Sequence, residues 1–409
     1  MKLHQLLVDK INNKKQLIED WLSDKFSKNR PLFYNSVDLR CSGFKIAPID
    51  TNCFPAGFNN LSDISKAKAK QIVSDFFAKN HPTARKIMIL PESHTRNFKY
   101  LENVLTLKDI IAGDNQREVV VGSLIEELDD QFDINLSENR NITLHKIIKS
   151  QNKIVTKTGF VADLIIINND FTNPVPQILN SITQPAIPPA NLGWHYRRKS
   201  THFEIYDQIA AEFSALIDID PWLITAIDDL CEDINFKEKK GVECLAKNVD
   251  IIIAKIKDKY QQYQIKDQPY CYIKADKGTY GIAMMTATCG EQMLDMNKKQ
   301  RNNMNMLKGN VQNTQIIIQE GIPTMDKVKN TNAEPMIYLI NGKIAGNLFR
   351  INDKRDNQIS LNADGMSFHD LTSLKDEELN LSLKRDDMIK IYEIIAKLAA
   401  LAAAQESYE

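Results

Sequence analysis

The chain has 409 residues, with 52 Lys and Arg against 53 Asp and Glu for a formal net charge of -1. That balance gives no global field to draw in nucleic acid or an anionic membrane, so any anion site is local. The length allows about two or three domains, and no apolar run nears the roughly 20 residues that span a bilayer. The start, MKLHQLLVDKINNKK, is charged throughout and lacks a signal-peptide core. Cys41, Cys53, Cys231, Cys244, Cys271 and Cys289 form no C-x-x-C pair and no zinc-like spacing, which fits reduced thiols in a cytoplasm.

In chain order, Leu3, Leu6, Leu7, Ile11, Ile18, Trp21 and Leu22 predict one amphipathic helix over residues 1–26. Residues 36–61 hold prolines, glycines and scattered aromatics with no sustained period, and predict loop-rich structure. There Asp38, Arg40, Lys45, Asp50 and Asn52 either grip a zwitterion such as an amino acid or form a satisfied surface loop. From Arg85 the pattern is α/β: strands at Lys86–Leu90, Glu118–Val121 and Ala162–Ile167, with a helix near Tyr100–Ala112, imply a mainly parallel sheet. Open sheets of this kind bind ligands beyond their carboxyl ends, where Glu92, His94, Arg96 and Asn97 follow the first strand. The same residues could simply cap the next helix.

Five prolines in residues 171–192 mark a domain boundary. Thr201-x-x-Glu204 fits a capping box and predicts a helix start near Thr201. Arg197, Arg198 and Lys199 lie just upstream and repel one another unless an anion sits there, which favours a carboxylate or phosphate pocket. His195 and His202 have no partner at metal spacing. Pro221–Phe236 and Gly241–Tyr263 read as helices, the second with a long apolar stripe. The stretch Pro269–Gly290 then reads as strand, glycine loop, strand, with Lys274 at the end of the first strand and Gly278 and Gly281 bracketing the turn. Glycines let backbone N–H groups approach a phosphate and the lysine adds a point charge, although most such hairpins are only hairpins. A helix at Glu291–Leu307 and strands at Gln315–Gln319, Pro335–Ile340 and Lys343–Ile351 follow, the last two joined by Asn341-Gly342, a type I′ turn signal. An alanine-rich amphipathic helix, Asp386–Ala404, closes the chain.

The order of these elements resembles the ATP-grasp fold of carboxylate–amine ligases. The segments VDLRCSGFKIAPIDTNCFPAGFNNL, ILPESHTRN, GWHYRRKSTHF, DPWLI, YIKADKGTYGI, IIIQEG, AEPMIYLI and LNADG resemble the proteobacterial glutamate–cysteine ligase family over nearly the full length. The resemblance implies an α+β and α/β chain with an α/β, pre-ATP-grasp-like domain over residues 1–175. A mainly helical segment over 176–266 and an ATP-grasp-like nucleotide-binding unit over 267–409 follow it. It implies ATP-driven condensation of glutamate with cysteine through γ-glutamyl phosphate, with ATP and Mg2+ as cofactors. Lys274 would contact the phosphates, with the loop of Gly278, Thr279 and Gly281 closing over them. Gln319, Glu320 and Gly321 would meet adenine, and Glu334 would hold either ribose or magnesium. Arg350 would neutralise the transferred phosphoryl, and Asn362 would lie by metal and phosphates.

The late Glu-x-Asn strand common in ATP-grasp enzymes has no clear counterpart, which leaves Glu334, Asn362 and Asp364 as metal candidates. Substrate roles for Arg40, Asp50, Asn52, Arg96, Arg197 and Arg198 rest on charge and placement. The competing readings are an ATP-grasp ligase for other amino acids or peptides and a nucleotide-binding sensor without turnover. Neither nucleic acid nor membrane is an expected partner, and the oligomeric state is left open.

Overall fold

The computed structural model describes residues 3–278, 283–306 and 312–407. The first helical stretch breaks at Lys14 into α1 (Leu3–Asn13) and α2 (Lys15–Lys28), so the single expected helix is two. The segment expected as loop is instead an antiparallel pair, β1 (Tyr34–Cys41) and β2 (Ile46–Asn52), with a register shift at Asp38/Leu39. Its residues alternate: Ser36, Asp38 and Arg40 on one face, Val37, Leu39 and Cys41 on the other. Both faces are covered, so every residue of β1 is buried.

Ser62 caps α3 (Asp63–Asn80) by accepting from the Ser65 N–H. The α/β region then runs β3 (Lys86–Pro91), α4 (Phe98–Ala112), β4 (Glu118–Ser123), β5 (Gln131–Ser137), β6 (Arg140–Ser150), β7 (Lys153–Thr156), β8 (Leu164–Asn168) and β9 (Ala186–Ile187). Its sheet has the order β5-β6-β4-β3-β8-β9, with β7 also on β6. The pairs from β6 through β9 are parallel, and β5 and β7 run antiparallel on β6. The proline-rich stretch thus contributes an edge strand as well as a connection.

The next helix, α5 (Lys199–Ile217), starts before Thr201, with Arg198 in the capping position and no side-chain cap of its own. Residues 221–236 are not a helix. They form a 3-10 turn, Pro221–Leu223, and β10 (Asp228–Cys231). After α6 (Val242–Gln262) come β11 (Cys271–Ala275) and β12 (Met284–Ala287), which pair antiparallel as expected. The helix expected at 291–307 is split into α7 (Glu291–Leu294) and α8 (Lys298–Asn305), because an Asn297/Gln300 capping box restarts it. The chain closes with β13 (Ile316–Glu320), β14 (Lys327–Val328), β15 (Thr331–Ile340), β16 (Lys343–Ile351), β17 (Ser367–Asp370), β18 (Leu379–Asn380) and α9 (Arg385–Glu406). Asn341 and Gly342 both have positive φ, 49° and 71°, as a type I′ turn demands.

Two antiparallel sheets result, one of order β17-β16-β15-β1-β2 and one of order β10-β13-β11-β12. Val37, Leu39, Ile337, Leu339 and Phe349 of the first sheet and Ile273, Ile316 and Ile318 of the second share one hydrophobic core with Ile391, Ile395 and Leu398 of α9 and Val249, Ile252 and Ile256 of α6. The chain is therefore a mixed α/β protein of several sheets. Among the described residues no helix is long and apolar enough to cross a membrane.

Candidate active site

On the other face of the first sheet, Tyr34, Met336, Tyr338, Ile340 and Leu348 pack with α3 and α4, while the polar end of that face reaches the second sheet, where Arg40 meets Tyr272. On β15 and β16, Glu334 and Arg350 are register partners; on β1 and β2, Asp38 and Asp50 are. Asp38, Arg40, Glu334 and Arg350 thereby form one buried row of two acids and two bases. Arg350 donates from Nη2 to Asp38 Oδ2 (2.9 Å) and from Nη1 to Glu334 Oε2 (3.2 Å). Arg40 donates from Nε and Nη2 to Glu334 Oε1 (2.9 and 2.5 Å). From the other sheet, Tyr272 OH accepts from Arg40 Nη1 (2.5 Å), and the carbonyls of Ile322 and Ile359 accept as well. Arg40 is a clamp joining the two sheets.

On the facing sheet the alternation of YCYIKAD puts Tyr272 and Lys274 on the cleft side with Gln319 and Asp228, their cross-strand neighbours. Lys274 Nζ donates to Gln319 Oε1 (2.6 Å) and the Ile49 carbonyl (3.3 Å). Burial, then the nearby Lys199 charge, pull Lys274 down to about 7. Burial pushes Asp38 up to about 6 even beside Arg350. For Arg40 and Arg350, burial opposes the charge and the flanking carboxylates outweigh it, so both are raised. Asp38 Oδ1, Arg350 Nε and Gln319 Nε2 are buried without a hydrogen-bond partner. Leaving a buried polar group unpaired costs about 1–3 kcal/mol, a cost that a ligand or ordered water in the cleft would offset.

Beside the cleft lies the cationic run that opens α5. Arg197 closes on Glu406 (Nε–Oε2, 2.7 Å), Lys199 on Asp50 (2.8 Å), and both cations lie over the Trp194 ring at 5.1 and 4.0 Å. The helix N-terminus itself is met by Asp276, which accepts from Ser200 N–H (2.8 Å) and Ser200 Oγ (2.9 Å). The anions that the sequence led us to expect there are the chain's own carboxylates. Arg198 instead donates to Gln315 (3.3 Å) and to backbone carbonyls, and burial followed by its charge lowers Lys277. For Asp50, burial opposes ionisation but Lys199 wins and lowers it.

The other expected positions are dispersed. Arg40 and Arg197, expected on substrate carboxylates, each close on a carboxylate of the chain. Asn52 lies at the end of β2 opposite Ser36, and Arg96 is exposed between β3 and α4 at the carboxyl end of the parallel sheet. Glu320 points away from the cleft to Lys45 (2.7 Å), Trp222 Nε1 (3.2 Å) and the Ile227 N–H (3.0 Å). The Gly321 N–H donates to the Tyr270 carbonyl, and a Cβ there would stand 2.2 Å from the Tyr270 ring, so glycine is required for packing. Gly278 has φ +103°, a glycine conformation. Thr279 and Gly281 lie outside the described residues. Asn362 is partly buried with its N–H on Ser360 Oγ (3.3 Å), and Asp364 is exposed. Sequence reading passed over Tyr272 and Asp276, although the period of two running from Tyr270 through Asp276 carries both.

Of the metal candidates, Glu334 lies beside the Asn362 loop, accepting from the Leu361 N–H (3.4 Å). Each oxygen of Glu334 already accepts from a guanidinium. Among the described residues no three His, Cys, Asp or Glu side chains come together in a metal-holding group. The described side chains therefore offer no ready-made metal cage, and magnesium held by one or two carboxylates and substrate phosphates needs none.

Glu406 ties the end of α9 to the start of α5, accepting from Arg197 and from His202 Nδ1. Burial lowers His202 and so favours the neutral ring, leaving Arg197 as the partner charge. Burial alone would raise Glu406, but Arg197 holds it down at about 2. A carboxylate lowered on folding stabilises the fold above its unfolded value and loses that contribution as pH falls through the folded one. Glu406→Gln is expected to cost about 3–5 kcal/mol at neutral pH by leaving Arg197 buried and unpaired. The gap to the parent should narrow as pH drops from about 4.5 toward 2. Urea unfolding of both proteins across that range checks it; parallel pH profiles would contradict the pairing.

Fold and cleft together define a mixed α/β enzyme that confronts two antiparallel sheets across a buried row of charges. The glutamate-cysteine ligase family model, GshA, matches residues 8–407, and the chain belongs to that family. A crystal structure from Methylobacillus flagellatus KT, of a protein provisionally named gamma-glutamylcysteine synthetase, is similar at 35% identity and a TM-score of 0.90, covering 98% of this chain and 95% of that one. A glutathione synthetase-like effector (GSS30) from Globodera pallida, in apoform, matches at 8% identity and a TM-score of 0.40, over 85% of this chain and 76% of that one. D-alanyl-alanine synthetase A from Vibrio cholerae O1 biovar eltor str. N16961 matches at 11% and 0.33, over 76% and 80%. Neither of these two carries weight here. Among curated proteins none matches. The chain is a ligase that joins glutamate to cysteine.

Proposed function

We propose that the ligation runs through ATP, in an ATP-grasp-like arrangement with the nucleotide between the two antiparallel sheets. The γ-carboxylate of glutamate attacks the terminal phosphoryl group, giving γ-glutamyl phosphate and ADP. The amine of cysteine then displaces phosphate and forms γ-glutamylcysteine. A carboxylate is a poor electrophile, and phosphorylation supplies its leaving group. The protein contributes mainly position and charge neutralisation.

The observation that carries this reading is the set of unpartnered buried atoms on both sides of the cleft, with Lys274 beside them and, among the described residues, no carboxylate bonded to it. In the proposed roles Lys274 and the loop from Gly278 hold the phosphates, with Thr279 and Gly281 completing that loop. Arg350 meets the transferred phosphoryl and acyl oxygens. Gln319 offers its free amide N–H to the nucleotide, with Glu320 and Gly321 continuing that strand toward adenine. Asn362 lies by the phosphates, and Asp50, Asn52, Arg96 and Arg198 are the polar groups left for amino-acid substrate. ATP-dependent ligases work with magnesium, which Glu334 and Asn362 would hold together with the nucleotide phosphates, and no step here is assigned to it. The domains proposed are residues 1–175, 176–266 and 267–409, and the setting is the cytoplasm.

The test is to incubate the protein with ATP, magnesium, glutamate and cysteine and to identify the nucleotide product. ADP and phosphate should appear only when both amino acids are present. Formation of AMP and pyrophosphate would mean an acyl adenylate and would overturn the phosphate route.

A further inference from the structure

Asp38 and Arg350 are joined by one bond, Oδ2 to Nη2 at 2.9 Å, and each keeps one polar atom without a partner. The free atom of Asp38 is an acceptor, Oδ1; that of Arg350 is a donor, Nε. Both residues are at least nine-tenths buried, at 4% and 5% exposure. A donor-and-acceptor pair held this rigidly fits a ligand that gives a hydrogen on one side and takes one on the other. The collapsing amide centre is such a group: its nitrogen carries hydrogens and its acyl and phosphoryl oxygens accept them.

We propose that Asp38 binds the ammonium group of the incoming cysteine through Oδ1 and takes the proton that must leave before attack. The inference rests on the acyl phosphate route and adds a residue to it. Cysteine reaches the site mainly as an ammonium ion with no lone pair. Its first proton passes to Asp38 Oδ1, the freed lone pair forms the C–N bond at the γ-carbon, and the C–O bond to phosphate breaks with its electrons leaving on phosphate. The second nitrogen proton goes to the departing phosphate, and Asp38 then releases its own to water.

The surroundings suit an acceptor of this kind. Arg350 from β16 faces Asp38, and Asp50 on β2 and Glu334 on β15 also act on it, while the nearby Tyr338 hydroxyl on β15 is raised by burial and by Asp38 itself. The arginine keeps the carboxylate available, and the two acids and burial keep it basic enough to accept a proton. Asp50 is less suited, because Lys199 already binds one of its oxygens and lowers its basicity. Both oxygens of Glu334 are held by guanidinium groups.

Hydroxylamine separates this role from a structural one. It is largely uncharged near neutral pH and attacks acyl phosphates without first losing a proton, giving γ-glutamyl hydroxamate. With ATP, magnesium and glutamate at pH 7, Asp38→Asn is expected to lose about 10²-fold or more in γ-glutamylcysteine formation but less than about 10-fold in hydroxamate formation. The loss should appear in kcat/KM for cysteine, with KM for glutamate little changed. Should the amide variant fail to fold, Asp38→Ser reads the same ratio. Equal losses with both nucleophiles would overturn the proposal and reduce Asp38 to a support for Arg350. Failure of the parent enzyme to make either product would instead remove the acyl phosphate route, and this inference with it.

Discussion

Arg350→Ala is expected to lower turnover by about 10²–10³-fold, the loss typical of removing one preorganised charge contact to a transition state. The expectation follows from Arg350 being the cation of the buried row that keeps a free donor, since Arg40 binds Glu334, Tyr272 and three carbonyls. The substitution also acts on the fold. It leaves Asp38 and Glu334 facing one cation where there were two, and breaking a buried ion pair from one side costs about 3–5 kcal/mol. Part of any activity lost by the alanine variant could therefore be unfolded protein. Arg350→Lys resolves this: a point charge still faces the two acids, but the planar fork that reaches both at once is gone. The lysine variant should keep most of the melting temperature and still lose most of the turnover. Turnover near the parent level in a folded lysine variant would remove Arg350 from the chemistry.

The parts of this fold that were legible in the sequence are those whose signals are local. Isoleucine and valine runs announce β3, β4, β8 and β13; Asn341-Gly342 announces its hairpin; the apolar stripe of α6 announces a packed helix. What stayed hidden depends on distant partners. The strict alternation of SVDLRC is a strand signal, yet the strand pairs with β15, some three hundred residues later, and the prolines and glycines around it obscure the pattern. Residues 221–236 have helix-like apolar spacing, but pairing of β10 with β13 overrides it. The candidate site shows the same division. Lys274 and Gly278 stand out locally. Nothing near Arg197 in the sequence reveals that its partner is Glu406, 209 residues away, whereas Arg350 keeps an atom free. A sequence identifies cations; the fold decides which of them are already neutralised.

Lys274→Met should do the opposite of Arg350→Ala to stability while harming activity as much. In the free protein the Lys274 ammonium bonds to a carbonyl and an amide, and burial and Lys199 bring it down to about 7 from an ordinary 10.5. A lysine lowered in this way weakens the fold wherever the unfolded chain would hold the proton more tightly. The penalty is full below about pH 7 and fades as pH rises toward 10.5. Methionine keeps the stem and removes the charge, so the variant should melt higher than the parent at neutral pH, with the two converging in alkali. An incoming triphosphate reverses the balance by making the ammonium favourable again. Near pH 8, ATP binding to the parent should therefore take up a proton, and affinity should weaken as pH rises above 7. Calorimetry in two buffers of different ionisation enthalpy measures that uptake directly. The methionine variant should show less uptake, weaker ATP binding and turnover lower by about 10²–10³-fold. Unchanged proton uptake in the variant would assign the titration to another group, and near-normal ATP affinity would take Lys274 off the phosphates.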